Sequence, residues 1–532
     1  MKKLPLGIQN FKEIIQGGNV YVDKTRYVYD LINNATYYFM SRPRRFGKSL
    51  LIDVLGEALS GNKELFKGLF IYDSGYGFEK HPVIRLDMSN IANDSPETLE
   101  KSLSNELMRR AKKEGFDIEL CKPSDMFKNL IDALYDKYDQ RVAVLIDEYD
   151  KPILDHLDDI EVSEANRKVL KGFYGILKSM DPYLRLTFIT GVSKFTKTSI
   201  FPELNNLLDI TLMREYSNIC GITIEELDKY FWEHIETLSQ RDEFKRFNCL
   251  RDEILAWYDG YSWDGETKLL NPFSLLSFLM QKRFFSFWYA SGTPTFLLKL
   301  IKNKPESFLA ITNLEISERA LDTFDIRNMG IEPLLFQTGY LTVKEVRRLE
   351  AMESYLLEIP NFEVRDALYM NIIAEFTEND EASADIAYWR IKDALKTGNL
   401  QNMLEILKSL FASIPYQLHI NREAYYHSIF FAIMSVLGFD TGAEVSTSKG
   451  RIDAVLELDD KVYVMEFMYK DCAPETVAEL KRNMFDEALE EGMDQIKSRG
   501  YHEKYLGTGK QIYLAAFAFL GKNDIEMKFE TL

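Results

Sequence analysis

A chain of 532 residues with 46% hydrophobic and 13% aromatic content is too long for one compact core and has enough apolar side chains to build two or three. Its four cysteines, Cys121, Cys220, Cys249 and Cys472, stand far apart with no Cys-x-x-Cys or Cys/His grouping, which excludes a disulfide framework and a zinc site and fits a reducing compartment. A formal net charge of −18 excludes bulk electrostatic coating of nucleic acid or anionic membrane, so any nucleic-acid contact must be local.

Met1-Lys2-Lys3 is followed by an apolar stretch too short and too broken for a signal peptide, and no later run approaches the roughly 18 uncharged residues of a membrane span. The expectation is a soluble cytoplasmic protein with no membrane partner. Thr36–Ser41 reads as a buried strand, short and rich in aromatics. It leads into the loop Arg42-Pro43-Arg44-Arg45-Phe46-Gly47-Lys48-Ser49, after which Leu50, Leu51, Val54, Leu55 and Leu59 mark one stripe of a helix. Further strands are predicted at Val83–Leu86, Val142–Ile146 and Arg185–Thr190. Helices between them, such as Pro96–Lys113 and Ala165–Met180, make an alternating α/β sheet.

Strand, loop, helix is the order that a phosphate loop requires. Backbone N–H groups ring the phosphates, a Lys reaches the β and γ groups, and a Ser or Thr hydroxyl meets Mg²⁺ at the helix start. Gly47, Lys48 and Ser49 supply that end. The first Gly of the consensus is replaced by Arg42, so the loop starts with a side chain where most such loops have none. About 100 residues later, Val142 to Ile146 forms an apolar strand ending in Asp147 and Glu148. The first acid can orient Mg²⁺ and the second can polarise the attacking water. Arg42, Arg44 and Arg45 crowd the loop, either to bind nucleotide phosphates or a second anion, or as charges tolerated in the open. Thr190 or Ser193, after the strand ending at Thr190, stands where a polar sensor of the γ-phosphate would sit.

From about residue 221 the pattern is mainly helical, clearest at Ile222–Leu238 and Leu275–Phe284, and broken at Tyr258-Asp259-Gly260-Tyr261 and Asn271-Pro272. The reading is a helical lid or adaptor over 221–400. Its hinge candidate is the polar, acidic stretch Thr377–Ala384. From residue 401 the expected order is helix, three short strands, helix, strand.

These residues resemble a bacterial family of divergent AAA-ATPase-like proteins, many of which carry a C-terminal PD-(D/E)xK nuclease-superfamily domain. The resemblance covers nearly the whole chain. It rests on Val22-Asp23-Lys24-Thr25, the loop Arg42 to Ser49, Leu145 to Asp150, Thr190 to Ser193, Trp257 to Tyr261, Asn271-Pro272-Phe273 and Phe287-Trp288. It implies a P-loop ATPase domain over 1–220, the adaptor over 221–400 and an α/β nuclease-like domain over 401–532. It also implies that Arg42 belongs to the family's usual loop. The implied ligands are ATP, contacted by Arg42, Arg44, Arg45, Phe46, Gly47, Lys48, Ser49, Leu50 and Thr190, and Mg²⁺ at Ser49 and Asp147.

In the C-terminal domain the resemblance places metal ligands at Asp453 and Glu466, a further acid at Glu423 and a polar position at Gln495. The family's Glu-x-Lys places a Lys two residues after the Glu, where this chain has Met468. Lys470 shares that strand face and lies about 7 Å further along, so it is the substitute candidate. The segment from residue 401 carries 21 acidic against 14 basic residues, an unfavourable balance for gripping a phosphate backbone unaided. Two readings follow. One is an ATPase whose nucleotide state controls a nuclease-like domain acting on DNA or RNA; the other is an ATP-driven interaction protein whose nuclease-like domain binds without cutting. Homo-oligomerisation is left open.

Overall fold

The computed structural model of the chain describes residues 1–194, 200–201, 204, 206–288, 314–321, 330–349, 352–377, 381–412, 453–458, 460–470, 472, 476–500, 502–521 and 524–532. The chain divides into two compact units. The first is Met1–Gly292 with Thr312–Val364, and the second is Thr293–Ile311 with Arg365–Leu532.

The first unit is built on a five-stranded parallel sheet. Its strands are β1 (Tyr37–Ser41), β2 (Val83–Asp87), β3 (Val142–Asp147), β4 (Leu184–Gly191) and the short β5 (Leu208–Asp209), in the order β2-β3-β4-β1-β5. β1 and β3 are buried along their whole length, as expected of parallel strands covered on both faces, which is why they read as unbroken apolar runs. Two helices precede the sheet, α1 (Phe11–Gln16) and α2 (Thr25–Asn34). α3 (Lys48–Leu59), α4 (Pro96–Lys113), α5 (Pro123–Tyr138) and α6 (Ile160–Ser179) connect the strands. α4 begins where the sequence says it should. Ser95 accepts from the Thr98 amide, and Pro96, which has no amide to satisfy, takes the first helical position. Because β4 lies between β1 and β3, Thr190 at its end stands between the loop after β1 and the acids after β3.

The helical part that follows contains α7 (Ile224–Ser239), α8 (Leu250–Tyr258) and α9 (Pro272–Gln281). α7 starts with a reciprocal Thr223/Glu226 capping box, and Asn271 caps α9 through the amides of Phe273 and Ser274. Leu227, Phe231, Ile254, Tyr258, Leu275 and Phe278 form its core. The region is not helical throughout. β6 (Leu314–Ser317), β7 (Thr342–Leu349) and β8 (Met352–Glu358) make an antiparallel sheet in the order β6-β8-β7, with α10 (Ile331–Thr338) leading into β7. The expected adaptor over 221–400 is therefore divided. Residues up to Val364 belong with the first unit, and Arg365 onward belongs with the second. The polar stretch read as a hinge starts at the end of α11 (Phe362–Thr377) and runs into α12 (Glu381–Thr397), and its residues 378–380 lie outside the described residues.

After α13 (Leu400–Ala412), the described residues of the second unit form two strands, a long helix and two strands, rather than three strands, helix and strand. The strands are β9 (Asp453–Glu457), β10 (Lys461–Lys470), β11 (Gln511–Leu520) and β12 (Asp524–Thr531), and the helix is α14 (Ala478–Arg499). The sheet order is β12-β11-β10-β9. Only β10 and β11 run parallel, because α14 carries the chain back between them. Val462, Val464 and Met468 face α14, packing with Ala488, Met493 and Ile496. On the other sheet face Tyr463 stacks on Tyr513 and Phe467 on Phe517, and the Tyr463 hydroxyl donates to the Leu395 carbonyl.

Gly260, at the break that follows α8, has φ +112°, and a Cβ there would lie 2.0 Å from the Pro360 carbonyl oxygen. Gly260→Ala is expected to destabilise the first unit by about 2–4 kcal/mol, since it adds both backbone strain and a collision with main chain that cannot rotate away. Chemical denaturation monitored by tryptophan fluorescence checks this, and an unchanged midpoint contradicts it.

Candidate functional site

The loop after β1 closes around a cavity of about 470 Å³. Its lining includes Arg44, Arg45, Phe46, Gly47, Lys48, Ser49, Leu50 and Glu148, together with residues 5–9, Val22, Ile219 and Phe273. A cavity of this size, lined by both cationic and apolar side chains, suits a small ligand with an aromatic head and an anionic tail. Gly47 holds φ +92° with open space where a Cβ would stand, so the backbone can approach a ligand closely. The Lys48 ammonium is nearly buried and donates to the carbonyls of Arg42 and Pro43, 2.9 Å each. Burial lowers its pKa, while Asp147, Glu148 and Asp150 draw it back up. An anion inside the loop could take the place of the two carbonyls that the ammonium now donates to, so the donor set fits phosphate.

At the end of β3, Asp147 accepts 2.6 Å from the Thr190 hydroxyl and 3.1 Å from the Glu148 amide. Thr190, expected as a polar sensor of a γ-phosphate, gives its hydroxyl to the Asp147 carboxylate in this structure. Glu148 has φ +51°, a left-handed conformation that a non-glycine residue adopts at a local energetic penalty, and its pKa is raised mainly by burial. Ser193 does not face the cavity. Its amide and hydroxyl both donate to Asp150, which is buried and also receives the Val192 amide.

Arg42 departs from the expected role. Its guanidinium is fully buried, donating from Nη1 to the carbonyls of Ser41 (2.9 Å) and Thr211 (2.8 Å) and from Nη2 to Tyr216 (3.2 Å). It also lies over the Trp263 ring, 4.1 Å from the centroid. The side chain turns under the loop and braces it, so it is not a nucleotide ligand. Phe46 turns the same way, meeting Tyr261 and Trp263 edge-on. Arg44 is exposed, and its carbonyl accepts from the Trp288 indole. Arg45 lies over Phe273, 3.7 Å from the centroid, and donates 3.3 Å to the Phe287 carbonyl.

The motifs whose role the sequence left open converge behind this loop. Trp257 to Tyr261, Asn271 to Phe273 and Phe287-Trp288 surround a residue that the sequence did not single out, Glu363. Its Oε1 accepts from the Ser274 hydroxyl (3.0 Å) and the Trp288 amide (2.8 Å), whereas Oε2 is buried without a hydrogen-bond partner among the described residues. Burial pushes this carboxyl up to about 8, with Arg45 pulling the other way. The Ser274 contact spans 89 residues of sequence, and no local pattern signals it. At the opposite end, Lys24 of the Val22–Thr25 motif donates to Glu226 on α7 (2.7 Å) and to the Asn218 carbonyl (2.8 Å), clasping the N-terminal segment to the lid.

In the second unit, Glu466 is buried on the α14 face of β10, and Arg499 lies 4.0 Å away. The β9–β10 register sets residue 453 directly opposite 466. Met468 is held in the core against α14, where a Cβ at Gly492 would lie 3.2 Å from its Cγ. Lys470 pairs with Glu487 at 2.9 Å and lies 4.0 Å from Glu491, both on α14. Gln495 is half-buried on α14, and Glu423 lies outside the described residues. Among the described residues no three His, Cys, Asp or Glu side chains gather as a metal site, and no helix is long and apolar enough to cross a membrane.

The fold and loop geometry are those of a P-loop-like parallel-sheet domain followed by a nuclease-like α/β domain. A family model described as "Predicted AAA-ATPase" matches residues 5–201, and one described as "PD-(D/E)XK nuclease superfamily" matches residues 421–529. A protein of Azotobacter chroococcum mcd 1, described as "Uncharacterized protein in vnfD 5'region", is 35% identical over 524 residues, covering 97% of this chain and 96% of that one. The chain belongs to this family of AAA-ATPase-like proteins with a C-terminal PD-(D/E)XK nuclease-superfamily domain.

Because the folded Glu363 carboxyl holds its proton up to about pH 8, its contribution to stability is fully present below the ordinary carboxyl pKa of about 4.5 and is lost as pH rises towards 8. Groups facing it are Arg45, Tyr258 and Tyr261. Glu363→Gln, which is neutral throughout, is expected to flatten the fall in melting temperature between about pH 5 and 8 relative to wild type. Parallel curves for the two proteins contradict this.

Proposed function

We propose that the chain binds and hydrolyses ATP in the cavity behind Gly47-Lys48-Ser49, and that its nucleotide state controls a C-terminal domain acting on nucleic acid. The observation that carries the nucleotide reading is the Lys48 ammonium, nearly buried and bonded among the described residues to its own loop's carbonyls, with Asp147, Glu148 and Asp150 acting on it electrostatically. Lys48 would transfer its donors to the β and γ phosphates, and the Ser49 hydroxyl and Asp147 would hold Mg²⁺. When bound, Mg²⁺ supplies the positive charge that offsets the phosphate oxygens. Glu148 orients the attacking water and accepts its proton, a role suited to a carboxylate whose basicity burial has raised. Thr190 holds Asp147 in place. Residues 5–9, Ile219 and Phe273 offer an apolar surface for the base.

Connectivity supports control of the second unit. Trp288 and Glu363, both tied to the loop's surroundings, lie just before the chain leaves the first unit after Gly292 and again after Val364. For the C-terminal domain, the register of residues 453 and 466 supports a metal-dependent acid pair acting on DNA or RNA. A second reading, binding without cutting, is favoured by one observation: Met468 fills the position of the usual Lys, and Lys470 is engaged by acids of α14.

Lys48→Ala is expected to abolish Mg·ATP binding by calorimetry, and Glu148→Gln to bind ATP but lower turnover by about 100-fold or more. Equal ATP affinity in wild type and Lys48→Ala contradicts the loop assignment. For the second unit, plasmid and single-stranded substrates with Mn²⁺ and ATP separate the readings. Cutting by wild type that is lost in Lys470→Ala supports a nuclease. Silence in wild type with cutting gained in Met468→Lys identifies a weakened site, with a stability loss of roughly 1–3 kcal/mol for the buried ammonium. Silence in all three leaves nucleic-acid binding as the domain's role.

A further inference from the structure

Glu148 lines the cavity from a left-handed backbone conformation, which a non-glycine residue holds only where its surroundings impose it. What imposes it lies in two motifs that the nucleotide reading leaves without a role, Tyr149-Asp150 and Gly191-Val192-Ser193. Before Glu148, the Asp147 carboxylate is fixed by the Thr190 hydroxyl. After it, the Tyr149 amide donates 3.0 Å to the Thr190 carbonyl, and the Tyr149 hydroxyl donates 3.2 Å to the Ser193 carbonyl. The Tyr149 carbonyl accepts from the Tyr174 hydroxyl at 3.3 Å, and its ring stands edge-on to Phe39. Asp150 Oδ2 then receives the Ser193 amide (2.6 Å), the Ser193 hydroxyl and the Val192 amide (3.1 Å). The Lys151 amide closes the turn on the Glu148 carbonyl at 3.0 Å.

Residues 147, 149 and 150 are thus all fastened to the end of β4, and Glu148 is the residue between the fastenings. With only two soft dihedrals per residue, a chain held on both sides has little freedom left at the residue in between, and the left-handed turn is the result. Gly191 shows how closely the two strand ends meet. A Cβ there would lie 2.5 Å from the Tyr149 ring and 2.7 Å from Asp150 Oδ1, so a side chain at 191 would displace the pair. Asp150 and Ser193 are both buried and neither belongs to the cavity lining, so their bonds serve the backbone rather than a ligand.

We propose that Asp150, seated on Gly191 and Ser193, is the positioning residue for Glu148: it holds the turn that presents the Glu148 carboxylate to the attacking water. This rests on the nucleotide reading given above. Asp150 touches neither nucleotide nor water and acts only through the backbone of residues 148–150.

The test uses the full chain and separates Mg·ATP affinity, by calorimetry, from the single-turnover rate of ATP hydrolysis, with thermal melts alongside. Ser193→Ala deletes one hydroxyl and leaves both amide bonds to Asp150, and it is expected to slow hydrolysis by about three- to tenfold. Asp150→Ala removes the acceptor and Gly191→Ala drives a methyl group against Tyr149 and Asp150. Each is expected to slow hydrolysis by about 10- to 100-fold, as a small misplacement of a catalytic group does. Mg·ATP affinity stays within about threefold in all three, because the loss falls on the transition state alone. Asp150→Asn, which keeps one acceptor oxygen, retains more of the rate than Asp150→Ala. Adding Asp150→Ala to Glu148→Gln slows hydrolysis no further, since the carboxylate being positioned is already gone. A wild-type rate in Ser193→Ala overturns the proposal, even where a substitution at the buried Asp150 fails to fold. Affinity that falls in step with the rate, or a loss that multiplies that of Glu148→Gln, makes the role merely structural and overturns it too. Wild type that binds no ATP, or binds it without hydrolysis, overturns the nucleotide reading and this inference together, whereas turnover that none of these variants slows overturns this inference alone.

Discussion

A buried guanidinium under the phosphate loop is the constraint on which the rest of the first unit depends. Moving a charge out of water is costly, and Arg42 offsets part of that cost with three backbone carbonyls on Nη1 and Nη2 and the face of Trp263, while its Nε has no hydrogen-bond partner among the described residues. Burial pulls its pKa down to about 10, which still leaves it charged at neutral pH. These bonds fasten the start of the loop to residues 211–216 and to the Tyr261–Trp263 segment. Most phosphate loops begin with Gly because a side chain there would obstruct a ligand; here the side chain lies outside the cavity lining and becomes the anchor. Phe46 repeats the arrangement with its ring, so two loop side chains face the protein and leave the backbone of Gly47 and the ammonium of Lys48 facing the cavity.

The same anchoring explains why the family's sequence marks are scattered over so much of the chain. Trp257 to Tyr261, Asn271 to Phe273 and Phe287-Trp288 are far apart in sequence, yet each supplies a wall or bond to the region behind the loop. Glu363 completes that region by tying Ser274 to the Trp288 amide. The helical segments after residue 221 are thereby joined to the loop through Arg44, Arg45 and Trp288.

What the sequence made legible were features encoded locally. β1, β3 and β4 are short apolar runs with sharp ends, and α4 carries its own cap and proline, so their limits fall within a residue or two of the expected ones. Gly47, Lys48, Asp147 and Glu148 were readable because a phosphate loop and an acidic strand end need those residue types in those contexts. Arg42 was misjudged because a cation beside a phosphate loop looks like a ligand when its burial is not visible. Glu363 was missed because its meaning lies in contacts 75 and 89 residues away. The small β6–β8–β7 sheet was overlooked because its exposed charged residues, such as Lys344, Glu345, Arg347 and Arg348, mask the alternation of a strand. In the second unit Met468 was recognisable as a departure from the expected Lys, but that it sits against α14 is a matter of tertiary packing.

The central claim, that a nucleotide occupies the cavity behind Gly47-Lys48-Ser49, is tested most directly by hydrogen–deuterium exchange on the full chain with and without Mg·ATP. The account predicts slowed exchange at the loop amides from residue 44 to 50, at residues 147–150 and along the apolar wall at residues 5–9 and 219–222. Exchange that is unchanged at the loop, or protection confined to the second unit, contradicts it.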